Sequence, residues 1–349
     1  MAIESPAFAD KIRNDQWQVS YLELAKAHQI SQGEGITVAV LDSGIDPDHP
    51  DLTGNVLKGF DVVTGGSGDG WGDVDGHGTG MAGLVAAHGH GAGNGDGALG
   101  LAPKAKILPV RIDTGSGIGQ GDAMAIAIDE AVKRGAKIIS ISITTDNRAY
   151  DPIQRAIKAG VIVVSSVGNR PKDHFIGDPG AYPGVLAVGA TGKDGNIANE
   201  SVRGKAVALV APGVDIVSSS KDGKYRIGTG TSPSTAIVAG AAASVWSKYP
   251  QLTSTQVIDH LTKTAVDKGT PGRDDEYGFG ALDLVKALNT APGSANASTT
   301  PTGPAATDGP STPEDKSSNT GLYVGIGAAV LVAIIVIVMV SRRRRSPSA

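Results

Sequence analysis

The sequence predicts a three-layer α/β domain with a mainly parallel central sheet. Five short segments are apolar throughout instead of alternating with polar residues, which is typical of strands buried on both faces. Helical patterns lie between or after them, and this alternation favours right-handed crossovers. The predicted strands are residues 36–41, 106–112, 137–143, 161–166 and 185–190. The predicted helices are residues 78–88, 121–134, 152–159, 233–248 and 254–265, the last one opening on a capping-box pattern.

Composition limits the size and chemistry of this domain. The chain has 349 residues, of which 40% are hydrophobic, enough for one domain of about 250 residues with appendages or for two ordinary domains. Only 4% are aromatic while 49 are glycine, so Val, Ile, Leu and Ala must fill a core of closely approaching backbones. No repeat of 20 to 50 residues occurs, which argues against a solenoid.

Charge and cysteine content exclude several functions. The net charge is -4, and positive charge is concentrated in Arg342 to Arg345, so nucleic acid is not expected as a partner. Cysteine is absent, which excludes disulfides, thiolate catalysis and cysteine metal sites.

The C-terminal part of the sequence predicts a membrane anchor. Residues 291–320 are rich in Ser, Thr, Pro, Gly and Ala and predict a disordered stalk. Residues 321–340 carry no charge and, as a helix, would span about 30 Å, so they predict one transmembrane helix; a buried core helix is the alternative. The basic tail, residues 341–349, favours a cytoplasmic C-terminus by the positive-inside rule. We therefore expect a single-pass protein of the cell membrane with its domain outside the cell.

The N-terminal residues fit this topology only in part. An exported domain needs a signal peptide, and the first residues have no apolar h-region. Ala7 to Ala9 do form an A-x-A pattern typical of signal peptidase sites. We hypothesise that residues 1–9 are the remnant of a truncated signal peptide with the true start codon upstream, and that residues 10–35 form an N-terminal extension. A chance A-x-A match before a cytosolic domain is the alternative.

Three polar residues follow predicted strands or open predicted helices, where ligands gather in parallel sheets. They are Asp42, His77 and Ser232, each close to glycines. Taken one at a time, each residue has a simpler explanation. Asp42 could be a turn former, His77 could be a histidine in a loop, and Ser232 could be a helix N-cap. Together they supply an acid, an imidazole and a hydroxyl in the chain order known for subtilisin.

The sequence around these residues resembles the subtilase family. VAVLDSGI, HGTGMAG and GTSPSTAIVAG are similar to its three signature segments, and SVGNRP resembles its oxyanion-hole segment. The resemblance implies a subtilisin-like peptidase domain over residues 36–290. Ser232 would be the nucleophile, His77 the general base and then acid, and Asp42 the residue that orients the imidazole. Asn169 and the N–H of Ser232 would form the oxyanion hole.

Departures from the family pattern affect the substrate cleft. Pro233 follows the serine at once and biases Ser232 away from the helical region, which could re-aim its backbone. The family's Ser-Leu-Gly run, which binds extended substrate, is Ser142, Ile143 and Thr144 here, so a side chain replaces a glycine. With Gly168 and Arg170, these three are the expected substrate-binding residues. We expect a narrower pocket whose rim carries Arg170 and favours an acidic or polar residue.

Two Asp-rich loops, residues 46–52 and 68–76, could suggest calcium, which some subtilases bind. Neither has the ligand spacing of a recognised site, so we interpret both as solvated loops and predict no metal and no cofactor.

The ends of the chain resemble the mycosins, membrane-anchored subtilases of actinobacterial type VII secretion systems. A short extension with Gln16 and Trp17 and a Ser-x-Gly-x-Gly lead into the first strand carry this resemblance, as do the stalk and the apolar C-terminal run. Mycosins commonly have cysteines, and this chain has none. The resemblance implies a serine endopeptidase with a protein or peptide substrate and type VII secretion components as possible partners. An inactive subtilase-fold scaffold and a surface adhesin are the alternatives.

Overall fold

The computed structural model describes residues 9–112, 120–145 and 147–293. The predicted transmembrane helix and tail, nearly all of the stalk and most of the signal remnant lie outside these residues. Within them, no helix combines the length and the apolar character needed to cross a bilayer.

A seven-stranded sheet with parallel pairing throughout forms the centre of the domain, in the order β2-β5-β1-β6-β7-β8-β9. Two antiparallel hairpins, β3 with β4 and β10 with β11, lie outside it. The strands of the described residues are β1 (Thr37–Asp42), β2 (Phe60–Asp61), β3 (His88–His90), β4 (Asp96–Leu99), β5 (Lys106–Arg111), β6 (Ile138–Ile141), β7 (Ile162–Ser166), β8 (Leu186–Thr191), β9 (Val207–Pro212), β10 (Ile216–Ser220) and β11 (Lys224–Gly228).

Helices cover both faces of this sheet. In β1, Val38 and Val40 point to the core cluster that contains the helices of residues 77–86 and 231–248. Ala39 and Leu41 point to the cluster that contains the helices of residues 120–133 and 150–158. The predicted three-layer α/β architecture is therefore confirmed. The α-helices of the described residues are α1 (Ala9–Asp15), α2 (Trp17–Tyr21), α3 (Leu24–Ile30), α4 (His77–Ala86), α5 (Gln120–Lys133), α6 (Tyr150–Lys158), α7 (Thr231–Lys248), α8 (Ser254–Thr264) and α9 (Leu284–Asn289).

The five predicted strands all form, with ends shifted by at most two residues. The capping box of α8 is confirmed, since Thr253 Oγ1 accepts from the N–H of Gln256 and Gln256 Oε1 accepts from the N–H of Thr253. Helix α7 begins two residues before the predicted start, so Ser232 lies in its first turn and Gly230 is the N-cap. The N-cap interpretation of Ser232 was therefore wrong.

The N-terminal extension is helical and packs on the domain, which the sequence did not predict. Gln16 is buried; its side chain accepts from the N–H of Leu99 and donates to the carbonyl of Val217. Trp17 Nε1 donates to the carbonyl of Val214 at 3.0 Å. The Gln-Trp pair thus attaches the extension to β4 and to the segment around β10 through directed hydrogen bonds.

Candidate active site

Asp42, His77 and Ser232 lie at the carboxyl ends of the central strands. Asp42 is the last residue of β1, His77 the first residue of α4, and Ser232 the second residue of α7. Both α4 and α7 pack on β1. Parallel strands bring their carboxyl ends to one edge, so the fold collects these three residues from distant parts of the sequence.

Asp42 and His77 form a direct pair. His77 Nδ1 lies 2.7 Å and 2.9 Å from the two carboxylate oxygens of Asp42, which is 3% exposed. The N–H of Ser43 donates to Asp42 Oδ1 at 2.8 Å and fixes the carboxylate further. Because a carboxylate accepts, Nδ1 carries the proton in this pair and Nε2 is the free, basic nitrogen.

Glycine at position 78 permits this close approach. A Cβ atom there would lie 2.0 Å from the carbonyl oxygen of Gly44 and 3.2 Å from the Cβ of Asp42. A side chain at this point would therefore push α4 away from the loop that follows β1.

Opposing effects act on the imidazole of His77. Burial by itself would lower the pKa of His77, but the charge of Asp42 and the hydrogen bond to it outweigh burial. A smaller contribution from Asp75 also raises the pKa, while Arg226 lowers it. The net result is a His77 pKa above its ordinary value of 6.5.

Ser232 is placed beside Ser142 instead of being bonded to His77. Its hydroxyl donates to the carbonyl of Ser142 at 3.1 Å, and Ser142 Oγ donates to the carbonyl of Ser232 at 3.3 Å. Among the hydrogen bonds of the described residues, none joins Ser232 to His77. Pro233 leaves Ser232 inside the helix, so the expected bias away from the helical region is not observed.

Asn169 is oriented by the first turn of α7. Its Oδ1 accepts from the backbone N–H of Thr231 at 2.8 Å and from the hydroxyl of Thr231 at 3.2 Å. This acceptor role leaves the Nδ2 group of Asn169 as a donor. Helix geometry leaves the N–H of Ser232 without an intrahelical acceptor. The site therefore offers two N–H donors near the serine.

The loop of residues 68–76 contains a carboxylate that sequence reasoning missed. Asp73 accepts from the hydroxyl of Ser43 at 2.8 Å, from the N–H of Gly76 at 2.9 Å and from the N–H and hydroxyl of Thr79. Burial alone would raise the pKa of Asp73, but these hydrogen bonds outweigh burial and lower it. The solvated-loop interpretation was wrong here: Asp73 ties the loop after β1 to the start of α4. An Asp shortly before a helix was the available signal.

Two cavities near this site share Ser142 and Ile143 in their linings. The first, called the Thr144 cavity, measures about 300 Å³ and is lined by Ser142, Ile143, Thr144, Ser166, Gly168, Asn169, Lys172 and Asp173. The second, called the Asp75 cavity, measures about 260 Å³ and is lined by Asp42, Ser43, Val74, Asp75, His77, Ile112, Ser142 and Ile143.

The Thr144 cavity contains four of the five expected substrate-binding residues. Arg170 is the exception: its side chain is exposed and does not line the cavity, while its backbone N–H donates to the carbonyl of Glu200. Lys172 lines the cavity instead of Arg170, because the chain turns between residues 170 and 172. The methyl group of Thr144 lies 3.7 Å from a Cβ built on Gly177.

Comparison with known proteins identifies the family of this chain. A model described as the subtilase family matches residues 33–280. The minor extracellular protease Epr of Bacillus subtilis is 32% identical over 272 residues, covering 77% of this chain but only 41% of that protein. The thermostable alkaline protease of Halalkalibacterium halodurans is 33% identical over 290 residues, covering 82% of this chain and 77% of that protein.

The chain is also similar to solved structures. The chain is similar to MycP1 from the ESX-1 type VII secretion system, with a TM-score of 0.71, 27% identity and coverage of 83% of this chain and 89% of that one. It is also similar to the MycP3 protease from the type VII (ESX-3) secretion system, with a TM-score of 0.69, 30% identity and coverage of 81% and 90%. The family match, the parallel α/β fold and the placement of Asp42, His77 and Ser232 lead to one conclusion: this chain belongs to the subtilase family of serine peptidases.

Proposed function

We propose that the chain is an endopeptidase that cleaves peptide bonds through an acyl-enzyme intermediate. Asp42, His77 and Ser232 are the catalytic residues of this proposal. The observation that carries it is the bond of 2.7 Å between His77 Nδ1 and Asp42 at the same sheet edge as Ser232.

The reaction begins when the Ser232 hydroxyl turns from the Ser142 carbonyl towards His77 Nε2. His77 takes the hydroxyl proton while Ser232 Oγ attacks the scissile carbonyl carbon, and Asp42 stabilises the imidazolium. His77 then gives this proton to the leaving amine as the C–N bond breaks. Water repeats the sequence on the acyl-enzyme and releases the second product.

Asn169 Nδ2 and the N–H of Ser232 stabilise the oxyanion of the tetrahedral intermediate in this proposal. Asn169 is well suited to this because its Oδ1 is engaged by Thr231, which sets the orientation of its amide. Such donors act most strongly where negative charge develops in the transition state.

Replacing Asn169 by Ala is expected to lower kcat about 10²- to 10³-fold with little change in KM, the magnitude known for this donor in subtilisin itself. Steady-state kinetics on a peptide substrate measures both constants. Thermal unfolding checks for structural loss, since the substitution also removes the acceptor of the Thr231 N–H. An unchanged kcat would show that Asn169 does not stabilise the oxyanion.

The raised pKa of His77 predicts where activity is lost in acid. The base must be neutral, so kcat/KM falls as the pH decreases through the His77 pKa, which lies above 6.5. A kcat/KM profile between pH 4 and pH 9 measures this acid limb. A limb centred well below pH 6.5 would contradict the electrostatic balance at His77.

The setting proposed for this activity is the outer face of the cell membrane. The uncharged run of residues 321–340, followed by four arginines, supports a single anchor with the C-terminus in the cytoplasm. Similarity to MycP1 and MycP3, which come from type VII secretion systems, supports secretion components as partners. Thr144 supports restricted specificity, since its side chain lines the same cavity as Asn169 at a position where the family has a glycine.

Labelling with a fluorophosphonate probe tests the activity itself. The probe forms a covalent bond with an activated serine, so we expect the folded wild-type chain to be labelled and Ser232→Ala to be unlabelled. Absence of labelling in the folded wild-type chain would favour the inactive scaffold instead.

Fractionation of cells expressing the full chain, with protease added outside, tests the topology. The domain is expected to be degraded and the tail is expected to be protected.

A further inference from the structure

Ser43 joins the two segments that carry Asp42 and His77. Asp42 ends β1 and His77 begins α4, so the bond between them depends on how these segments are held together. The backbone N–H of Ser43 donates to Asp42 Oδ1 at 2.8 Å. The hydroxyl of Ser43 accepts from the N–H of Gly78, the residue after His77, at 3.0 Å. Ser43 therefore contacts the carboxylate on one side and the start of α4 on the other.

The hydroxyl of Ser43 is oriented by Asp73. It lies 2.8 Å from Asp73 Oδ1 and 3.2 Å from Asp75 Oδ1. A hydroxyl has one proton, so it donates along the shorter bond to Asp73 and keeps its lone pairs for the N–H of Gly78. Asp73 Oδ2 accepts from the N–H of Thr79 at 2.9 Å and from its hydroxyl at 2.5 Å. Asp73 thus also connects Ser43 directly with the first turn of α4.

The donors around Asp73 require a carboxylate at this position. Its two oxygens accept from the hydroxyls of Ser43 and Thr79 and from the backbone N–H groups of Asp75, Gly76 and Thr79. An ionised carboxylate only accepts, whereas an amide has one accepting oxygen and an NH₂ group that donates. An amide at position 73 would therefore turn donors towards either Ser43 or Thr79, where donors already point at it.

Asp73 lies outside the reacting groups. Among the hydrogen bonds of the described residues, none joins the side chain of Asp73 to Asp42 or to His77. This side chain also lines neither of the two cavities at the site. Its effect on catalysis therefore passes through Ser43 and the first turn of α4.

We propose that Asp73 is a positioning residue for the peptidase reaction. Through the Ser43 hydroxyl and the first turn of α4, it holds the carboxylate of Asp42 at bonding distance from the imidazole of His77. This inference rests on the proposed function and adds a residue to it. Without the Asp73 carboxylate the hydroxyl of Ser43 loses its acceptor and turns away from α4, and the bond between Nδ1 and the Asp42 carboxylate lengthens.

Asp73→Asn in the full chain tests this role by kinetics on a chromogenic peptide. We expect kcat to fall about 10- to 100-fold with KM nearly unchanged, because a displacement of about 1 Å can cost about 10² in rate. Asp69→Asn is the matched control, since it makes the same change in the same loop. The Asp69 carboxylate accepts only from the N–H of Trp71 among the described residues, so kcat of this variant should equal that of the wild type.

The proton on His77 Nδ1 gives a second readout, which loss of stability alone would not move. In the wild-type chain its bond of 2.7 Å to the Asp42 carboxylate should place this proton at low field in the NMR spectrum and slow its exchange with water. Asp73→Asn should broaden this resonance or shift it to higher field. Asp69→Asn should leave it unchanged.

Ser43→Ala tests the route of the effect and provides a second variant should Asp73→Asn not fold. By itself it should lower kcat and broaden the His77 resonance, because the link to α4 is lost. Substitutions that act through one network are not additive. Asp73→Asn should therefore lower kcat by less than about threefold when it is made in the Ser43→Ala background.

Three results would overturn the inference. They are wild-type kcat in folded Asp73→Asn, wild-type kcat and resonance in Ser43→Ala, and an undiminished effect of Asp73→Asn in the Ser43→Ala background. An unchanged His77 resonance in a variant whose kcat has fallen would overturn it as well. A wild-type chain that neither hydrolyses the peptide nor reacts with the fluorophosphonate would overturn the peptidase function instead, and the resonance would still show whether Asp73 positions the pair.

Discussion

Ser232→Ala is expected to lower kcat by about 10⁶, which is the loss measured for the corresponding change in subtilisin itself. Without the hydroxyl no acyl-enzyme can form, and only the oxyanion donors and substrate binding remain. Hydrolysis of a chromogenic peptide at high enzyme concentration measures the residual rate. The folded state should be unchanged, because the lost hydrogen bond to Ser142 lies at a half-buried position.

Ser67→Ala is a suitable control for this experiment. Ser67 lies in an exposed loop, where its hydroxyl donates to the carbonyl of Thr64, and it lines neither cavity. Its kcat should equal that of the wild-type chain. If Ser232→Ala instead kept measurable turnover near the wild-type level, another group would have to be the nucleophile.

Asp42→Asn is expected to cost about 10⁴ in kcat while the fold is retained. The amide can donate to Nδ1 and so favours the wrong tautomer, with the proton on Nε2, where a base is needed. The imidazolium also loses the charge that stabilises it. Since Asp42 is the main cause that raises the His77 pKa, the acid limb of the residual activity should move to lower pH.

Kinetics across the pH range measure both effects of Asp42→Asn. Asp222→Asn makes the same change in charge at an exposed residue of the loop between β10 and β11, and should leave the profile unchanged. Activity of Asp42→Asn within tenfold of the wild type would show that His77 does not depend on this carboxylate.

The prediction from sequence was most successful where a local pattern and the tertiary fold agree. Uniformly apolar runs predicted five strands because a strand covered on both faces needs apolar residues at every position. The same pattern missed β9, although AVALVAP is apolar throughout, and missed β2 and the two hairpins. Apart from β9, the missed strands have at most five residues, too few to establish a period, so only their pairing reveals them.

Specificity was harder to predict than the catalytic residues. Arg170 was expected at the pocket rim from its place after Asn169, but adjacency in the chain does not determine which side chain enters a cavity. The turn between residues 170 and 172 exposes Arg170 and brings Lys172 to the lining.

The sequence by itself determined the α/β class, the family and the identity of Asp42, His77 and Ser232 as candidates, because these depend on short-range patterns and on residue order. Only the tertiary structure decided which groups meet: the bond between Asp42 and His77, the network around Asp73, the contacts of Gln16 with the domain and the hydrogen bond from the N–H of His77 to Asp75. These contacts join residues that lie up to 201 positions apart in the chain. Their geometry is set by how strands and helices pack, which no local pattern encodes.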